Sequence, residues 1–305
     1  MIDFSQKPLF LAPMAGYSDL PFRAVVKKFG ADFTISEMIS ANALVFESKK
    51  SPKMLEKHES ESPFIVQIAG SDESVIKKAV LLLNGLEFID GIDFNCGCPM
   101  PKVVRQNAGA ALLENLELLK RLVSAIKTHS TKKSVSVKFR LGFKDKKAEL
   151  IARACEEAGA DFVAIHGRTA KQLYSGKADY ESIALAKKAV KIPIIANGDI
   201  DAHNACAILQ STKADALMIG RASVGKPWLF YELKSGKSVS NTLKKEIILY
   251  HYESMLGHYG KMGVPLFRKH LHAYTKGIDG AAKFREFINH TDEPSTMQKA
   301  IEEFF

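Results

Sequence analysis

The residues best suited to chemistry form the cluster Asn95–Pro99, with the sequence Asn-Cys-Gly-Cys-Pro, directly after the short apolar run Phe88–Phe94. A cysteine on a turn shaped by glycine and proline, just past a strand, is presented to a pocket rather than packed in a core. Its thiol is then available as a nucleophile, a ligand or an acid. Cys98 is therefore the first candidate for a catalytic group.

Further polar residues end other apolar runs at intervals along the chain. They are Pro13-Met14-Ala15-Gly16, Gln67, Lys138, His166, Asn197-Gly198-Asp199 and Gly220-Arg221. These residues converge if the runs are the strands of one barrel, because parallel strands bring the loops at their carboxyl ends to one face. The set predicts a single site assembled from most of the chain.

Four of these groups also have interpretations without a role in binding. Lys138, between two apolar residues, either reaches outward or points a cation into the barrel mouth, where it needs a partner. His166 alone is more often a core histidine, but its place on the strand after that of Lys138 favours function. The glycines of Asn197–Asp199 and Gly220–Arg221 form tight turns or let backbone N–H groups approach a phosphate, to which Arg221 adds a charge-assisted contact.

Eight short apolar runs alternate with amphipathic stretches up to about Glu232. The predicted strands are Leu9–Ala12, Phe33–Ser36, Phe64–Ile68, Ile89–Phe94, Val135–Phe139, Phe162–Ile165, Pro193–Ala196 and Ala216–Ile219. The predicted helices between them are Leu20–Phe29, Glu73–Leu83, Leu116–Thr128, Lys147–Ala158, Tyr180–Val190 and Ala202–Gln210. This alternation predicts an α/β fold, a TIM (β/α)8 barrel. A doubly wound open sheet is the alternative, but it would ordinarily carry a glycine-rich fingerprint after its first strand, which is lacking here.

Beyond Glu232 the strand-like runs stop. The polar segment Lys234–Ser240 leads into helical patterns over Leu243–His258 and Pro265–Lys276. We predict two domains, a barrel over residues 1–235 and a small all-helical domain over residues 236–305. The stretch Phe267–Arg285 holds five basic residues and one acid. Such a stretch favours a polyanionic partner, although a solvated helix surface would look similar.

The composition fits a globular protein in a reducing compartment. Of 305 residues, 46% are hydrophobic and 25% charged, with a net charge of +9. Four cysteines do not make a disulfide framework, and Cys-x-Cys lacks the second ligand pair of a zinc knuckle, so no metal is predicted. Residues 1–5 lack a leader pattern, and no apolar run reaches the length of about 18 residues that spans a membrane. We expect a cytoplasmic protein without a membrane segment.

Taken together, the motifs resemble the tRNA-dihydrouridine synthases, and most closely their bacterial B-type branch. The resemblance covers the whole barrel, and Trp228 and Arg268-Lys269-His270 also match. Its motifs are Ala12-Pro13-Met14-Ala15-Gly16, Gln67-Ile68-Ala69-Gly70, Asn95-Cys96-Gly97-Cys98-Pro99, Lys138, His166-Gly167-Arg168-Thr169, Asn197-Gly198-Asp199-Ile200 and Ile219-Gly220-Arg221. One departure is Cys96, where relatives commonly have an aliphatic residue or methionine. Cys98 stands where the family has its catalytic cysteine.

The resemblance implies an enzyme that uses flavin mononucleotide (FMN) to reduce the C5=C6 bond of specific tRNA uridines to 5,6-dihydrouridine. NADPH would reduce the flavin, hydride would pass to uridine C6, and Cys98 would protonate C5. An ordinary thiol pKa of about 8.5 keeps such a group protonated at neutral pH. A positioned general acid accelerates a reaction by roughly 10² to 10⁴.

The resemblance also assigns binding roles position by position. The cofactor-binding residues would be Pro13, Met14, Ala15, Gln67, Lys138, His166, Asn197, Gly198, Asp199, Gly220 and Arg221. The substrate-binding residues would be Asn95, Arg140, Tyr174, Arg268 and Lys269. Lys138 would stabilise negative charge on the reduced flavin. The target base would leave its stack, and the helical domain would hold the folded tRNA.

Two other functions remain open from the sequence. A flavin barrel acting on a free pyrimidine, such as a dihydroorotate dehydrogenase, explains the cofactor residues but not the basic helical stretch, and it would not bind tRNA specifically. A non-catalytic tRNA-binding protein would not purify with a flavin that NADPH bleaches. The oligomeric state and the uridine position do not follow from the shared motifs.

Overall fold

The computed structural model describes residues 2–46 and 51–305 and contains a closed, parallel β-barrel. The strands are β1 Leu9–Leu11, β2 Phe33–Ile35, β3 Ile39–Ser40, β4 Phe64–Ala69, β5 Gly91–Cys96, β6 Ser134–Arg140, β7 Phe162–His166, β8 Ile194–Asn197 and β9 Ala216–Ile219. Their order in the sheet is β2-β1-β9-β8-β7-β6-β5-β4-β3, and β2 also pairs with β4, which closes the barrel. The predicted (β/α)8 barrel is confirmed.

Helices follow the strands and then continue alone to the end of the chain. They are α1 Leu20–Lys28, α2 Ala41–Phe46, α3 Ser51–Leu55, α4 Glu73–Asn84, α5 Pro101–Val104, α6 Leu116–His129, α7 Ala148–Glu157, α8 Tyr180–Ala189, α9 Ala205–Thr212, α10 Leu229–Ser235, α11 Asn241–Tyr259, α12 Gly263–Tyr274, α13 Ala281–Asn289 and α14 Pro294–Phe304. Several begin where a polar side chain accepts a hydrogen bond from the backbone of the first turn, as expected of N-caps. These caps are Asp19, Asp72, Asn115, Asp179 and Ser240.

The second barrel strand is interrupted. Strands β2 and β3 lie along the same edge of β4, with Ile35 opposite Ile65 and Ile39 opposite Ile68. Ser36 fills the gap, because its N–H donates to the Ile65 carbonyl at 3.0 Å and its hydroxyl accepts from the Gln67 N–H at 3.0 Å. The sequence pattern predicted neither this break nor β3, α2 and α3.

Alternation along the strands divides the barrel wall into two faces. Outward side chains such as Phe94, Cys96 and Phe139 join the large core under the surrounding helices. The interior is apolar on one side, where Phe10, Ala12, Ile35, Ile65, Phe162, Ala164, Ile195, Ala216 and Met218 pack together. On the other side, along β4, β5 and β6, the interior is polar. That polar side leads up to the barrel mouth.

The observed bounds of β5 differ from the predicted ones, because turn and side-chain acceptors bind backbone N–H groups near the start of this strand. The predicted strand Ile89–Phe94 begins two residues later, because the Ile89 N–H donates to Leu86 and the Asp90 carboxylate accepts from the Phe64 N–H at 2.9 Å. It also extends through Asn95 and Cys96, which pair with β6. Such shifts are small, but this one places Asn95 within the barrel wall.

Helices α11 to α14 share a second apolar core. Its members include Tyr252, Met255, Phe267, Met297 and Ile301, and it reaches the barrel through Val25 of α1 and through Trp228. The division of the chain into residues 1–235 and 236–305 stays a prediction. Among the described helices, none combines the length and apolar character needed to cross a membrane.

Candidate active site

A cavity of about 510 Å³ opens at the carboxyl ends of the strands. Most of the predicted cofactor residues line it, together with Tyr174 and with Lys276, which follows helix α12. The predicted residues on its wall are Pro13, Met14, Lys138, His166, Tyr174, Asn197, Gly198, Asp199, Gly220 and Arg221. A larger cavity of about 890 Å³ lies at the amino-terminal ends of β1 and β2, and none of the predicted site residues line it. The residues that line the 510 Å³ cavity therefore make it the candidate active site.

Lys138 points into the barrel mouth, so the outward-facing interpretation was wrong. Its ammonium donates a hydrogen bond to Asn197 Oδ1 at 3.1 Å, and Asn197 in turn donates from Nδ2 to the Met218 carbonyl at 2.7 Å. Burial, followed by the neighbouring Arg140 charge, lowers the pKa of Lys138 to about 8. The side chain is thus a cation near neutral pH, held by an amide rather than by a carboxylate.

His166 is a neutral imidazole at the cavity wall. Burial, and next the charge of Lys138, lower the pKa of His166 to about 2. Gly198 lies against this ring with φ +117°, and a Cβ built on it would come within 2.8 Å of His166 Cδ2. Glycine is therefore required at position 198 for the loop to cross the imidazole.

Arg221 lies at the cavity rim between an acid and an aromatic ring. Its Nη2 donates to Asp199 Oδ1 at 2.7 Å, and its Cζ lies 4.4 Å from the centroid of the Tyr174 ring. The same carboxylate accepts from the buried Arg168, whose Nη1 is 3.0 Å from Oδ1. Asp199 thus aligns two guanidinium groups, and the exposed face of Arg221 remains available to an anion.

The loop that carries Cys98 is fixed through its backbone. Asn95 Oδ1 accepts from the N–H groups of Gly97 at 3.1 Å and Cys98 at 2.9 Å, which forms an Asx turn. The Ala110 N–H donates to the Cys98 carbonyl at 3.0 Å. Gly109, with φ +61°, leaves room for this contact, since a Cβ there would lie 2.7 Å from the Cys98 oxygen. Cys98 is partly buried and is not part of the cavity wall, but it lies close enough to the wall residue Lys138 to influence the pKa of that lysine.

Arg140 connects this loop with the one that carries Tyr174. Its Nε donates to the Gly97 carbonyl at 3.0 Å, and its Nη1 donates to the carbonyls of Thr169 at 3.0 Å and Leu173 at 2.7 Å. Arg140 is buried, whereas Tyr174 is half exposed above it. A basic, hydrogen-bonding floor and an exposed aromatic ring thus flank the cysteine loop.

Comparison with known sequences identifies the family. Residues 10–305 match the sequence model of the dihydrouridine synthase (Dus) family. The chain belongs to that family. The family predicted from the sequence motifs is therefore confirmed.

Similar proteins cover nearly the whole dihydrouridine synthase chain described here. A probable tRNA-dihydrouridine synthase from Helicobacter pylori (strain ATCC 700392 / 26695) is 50% identical over 308 residues, which span 100% of this chain and 94% of that protein. The tRNA-dihydrouridine synthase B of Pseudomonas syringae pv. tomato is 37% identical, with 97% and 91% of the two chains covered. An old yellow enzyme homologue from Zymomonas mobilis shares the barrel fold, with a TM-score of 0.54 at 13% identity over 77% of this chain and 90% of that one.

In this family member, the remaining predicted residues lie outside the cavity wall. Ala15 is exposed at the rim, and Gln67 lies deeper in the barrel, where its Nε2 donates to Asp93 Oδ2 at 2.7 Å. Asn95 Nδ2 donates to Gln67 Oε1 at 2.8 Å. Gln67 is therefore joined to the cysteine loop through Asn95.

Arg268 and Lys269 lie on helix α12, away from the cavity wall, and face different neighbours. Arg268 Nη2 donates to the Thr291 carbonyl at 3.0 Å and to Asp292 Oδ1 at 2.5 Å. The Lys269 ammonium lies 5.5 Å from the centroid of the Tyr17 ring, on the loop after β1. Their predicted contact with tRNA stays a prediction.

Sequence reasoning missed three residues of this dihydrouridine synthase site. Arg168 belongs to a recognised motif, yet its pairing with Asp199 depends on the loops that follow the neighbouring strands β7 and β8 and are 31 residues apart in the sequence. Lys276 reaches the cavity from the helical segment. Asp93 is an acid within an apolar run, two residues before Asn95 and therefore on the same strand face, which was the available signal. In the described part of the chain, no group of three or more His, Cys, Asp or Glu residues could hold a metal ion.

Proposed function

We propose that this protein forms 5,6-dihydrouridine in tRNA, with FMN held in the 510 Å³ cavity and Cys98 as the proton donor. Family membership supports dihydrouridine formation as the activity. The observation that carries the finer assignment is the position of an anchored, partly buried thiol beside a cavity that contains the cation of Lys138.

The residues of the cavity fit FMN, which has an apolar ring system at one end and a phosphate at the other. Met14 and Pro13 offer apolar surface, and Lys138 offers a partly buried cation. Arg221 and Lys276 offer exposed cations, where a phosphate would be neutralised. Pro13, Met14 and Lys138 would therefore hold the ring, and Gly198, Gly220 and Arg221 the phosphate end.

Bound FMN would supply hydride transfer, with NADPH as the reductant. Lys138 would stabilise negative charge at the ring by a fixed cation in a poorly hydrated site. Neutral His166 would pack without adding charge. Asn197 would keep the Lys138 ammonium in place through its hydrogen bond.

Cys98 would donate its proton to C5 of the reduced uracil. The Asx turn holds the cysteine backbone, so the point from which the thiol side chain projects is fixed. Asn95 has one amide N–H left beyond its bond to Gln67, and that donor would bind a uracil oxygen. Tyr174 and Arg140 would flank the base after it has left its stack. In the proposed helical domain 236–305, Lys269 would bind a tRNA phosphate, whereas the Arg268 guanidinium is already paired with Asp292.

The first prediction tests the thiol with a matched cysteine. Cys98→Ala should keep its flavin and its affinity for tRNA but lose roughly 10² to 10⁴ in dihydrouridine formation, because no proton donor remains. Cys206→Ala is the control, since Cys206 is exposed on α9 and outside the site. The assay measures dihydrouridine formed with NADPH in tRNA from cells that lack this modification.

Two results would contradict the proposal. Near-normal turnover by Cys98→Ala would remove the cysteine as the acid. A purified wild-type protein that carries flavin and reduces a free pyrimidine, without binding tRNA in a gel-shift assay, would favour the dihydroorotate dehydrogenase alternative.

A further inference from the structure

Asp93 is a carboxylic acid enclosed within the barrel. It lies on β5 in register with Gln67 on β4 and Ser136 on β6, so the three side chains form one polar layer of the interior. Its exposed fraction is 1%. A carboxylate this deep is costly unless it is hydrogen-bonded and its charge is balanced. The proposed reaction gives this carboxylate no direct role.

Both carboxylate oxygens of Asp93 accept hydrogen bonds. Ser136 Oγ donates to Oδ1 at 2.6 Å, and Gln67 Nε2 donates to Oδ2 at 2.7 Å. An ionised carboxylate only accepts hydrogen bonds, and these two donors satisfy that requirement. Burial raises the pKa of Asp93, while the bonds from Ser136 and Gln67 and the charge of Lys138 oppose that rise.

The bond from Gln67 to Asp93 determines how the cysteine loop is held. Because Gln67 Nε2 donates to the carboxylate, Gln67 Oε1 must face Asn95, whose Nδ2 donates to it at 2.8 Å. Asn95 is then oriented with Oδ1 towards the N–H groups of Gly97 and Cys98. A carboxylate at position 93 thus fixes two amide orientations in series, and the second one anchors Cys98.

Asp93 also lies near Lys138, which stands two residues beyond Ser136 on β6 and therefore faces the same interior of the barrel. The groups that face this ammonium are Asp93, Arg140, Cys98 and His166. Burial and Arg140 lower the pKa of Lys138, whereas Asp93 raises it. Without the carboxylate, the Lys138 cation would be lost at a lower pH.

We propose that Asp93 is a positioning residue, which anchors the Cys98 loop through Gln67 and Asn95 and balances the charge of Lys138 inside the barrel. This role rests on the proposed function, since it serves the same site. Asp93 touches neither the cavity nor the thiol, and it acts through Gln67 and Asn95.

The test compares Asp93→Asn with Asp90→Asn, the same chemical change on the segment that leads into β5 at the opposite end of the barrel. Asp93→Asn should keep its flavin and lose on the order of tenfold in kcat for tRNA. The pH above which the rate of flavin reduction declines should be lower by about one unit in this variant. Asp90→Asn, which removes the contact with Lys133, should leave both unchanged.

Two measurements on the cofactor-free full chain test the role without turnover. In a Cys206→Ala background, alkylation of Cys98 should be faster in Asp93→Asn than in Asp90→Asn. An amide at position 93 can donate as well as accept, so it no longer fixes the orientation of Gln67 and, through it, of Asn95. The Lys138 ammonium, followed by NMR of labelled lysine, should titrate at a lower pH in Asp93→Asn. Gln67→Met, which cuts the link but keeps the carboxylate, should speed alkylation without moving the Lys138 titration.

The outcomes separate the two proposals. The role of Asp93 would be overturned if Asp93→Asn had the wild-type rate of Cys98 alkylation and the wild-type Lys138 titration. It would also be overturned if the losses of activity in Asp93→Asn and Asp90→Asn were simply proportional to their losses of stability. If Asp93→Asn does not fold, Gln67→Met tests the anchoring alone. Alkylation of Cys98 in Gln67→Met that is as slow as in the wild type would overturn the anchoring of the loop. Failure of the proposed function has a different signature, namely a wild-type protein that makes no dihydrouridine while its alkylation and titration behave as described.

Discussion

At the scale of single residues, Gly109 determines where Cys98 can lie. Its φ of +61° is unfavourable for other residues, and a Cβ there would be 2.7 Å from the Cys98 carbonyl oxygen and 3.2 Å from Cys98 Cβ. Neither neighbour can move alone, because the Cys98 N–H is bound to Asn95 and the Cys98 carbonyl to the Ala110 N–H. An added methyl group must therefore displace the whole loop.

The second prediction follows from that crowding. Gly109→Ala should retain flavin but lose up to about 10² in turnover, since a displacement of about 1 Å at a reacting group has that effect. Gly257→Ala on α11 is the control, because a Cβ there meets nothing within 4 Å. The measurements are kcat for tRNA and the rate of Cys98 alkylation. Equal turnover in the two variants would show that the loop tolerates the methyl group.

The third prediction concerns the two cations of the cavity. The Lys138 cation is present below its pKa of about 8 and is lost as the pH rises through that value. NADPH-driven flavin bleaching should therefore slow above pH 8 in the wild type, and Lys138→Met should be slow at every pH. Arg221→Ala should instead weaken FMN binding by about tenfold, through one lost charge-assisted contact. A full flavin complement in Arg221→Ala after dialysis would contradict the phosphate assignment.

At the scale of elements, the pattern of the sequence predicted the barrel because each strand is a continuous apolar run ended by polar residues. Lys138 and His166 were found this way, and the structure places them on one cavity. Asp93 was missed because an acid inside an apolar run does not reveal whether its partners, Gln67 and Ser136, come into register. The break after β2 was missed for a similar reason, since Ser36 replaces a backbone bond with a side-chain bond only once β4 lies beside it.

Helix α12 approaches the barrel mouth through Lys269. The Lys269 ammonium lies near the Tyr17 ring. Burial raises the pKa of Asp19 and of Glu37, and the positive charge of Lys269 opposes both of these rises. Glu37 accepts a hydrogen bond from the Gly16 N–H, so these acids support the loop after β1. Arg268, by contrast, is bound to Asp292. We therefore expect adjacent basic residues to behave differently.

The fourth prediction separates these two residues. Lys269→Ala should raise the KM for tRNA and lower the slope of log affinity against log salt by about one unit if the ammonium reaches a phosphate. Arg268→Ala should chiefly lower stability, because its guanidinium is already paired. Lys283→Ala on α13 removes one exposed charge and serves as the control. Identical salt slopes in all three variants and the wild type would show that neither Arg268 nor Lys269 contacts a tRNA phosphate.

At the scale of the whole molecule, the helical segment is joined to the barrel by a buried histidine pair. His251 and His270 have ring centroids 4.6 Å apart, and His270 stacks on Phe22 of α1 at 5.4 Å. Within residues 2–46 and 51–305, neither ring nitrogen of His270 has a hydrogen-bond partner, whereas His251 Nδ1 lies 2.9 Å from the Tyr274 hydroxyl. Burial lowers the pKa of His251 to about 3 and that of His270 well below its ordinary value.

The fifth prediction is that acid loosens this junction. A histidine whose pKa is lower in the folded state stabilises the protein above its unfolded pKa of about 6.5, and this contribution is lost as the pH falls below that value. For His251 the loss is about 2 kcal/mol between pH 8 and pH 5. His270→Phe removes two unpaired nitrogens among aromatic neighbours, so it should raise the free energy of unfolding at pH 8 and reduce its decline towards pH 5. Urea unfolding at both pH values measures this effect, with the exposed His203→Phe as the control. A decline in His270→Phe equal to that of the wild type would contradict the contribution of His270 to the acid sensitivity.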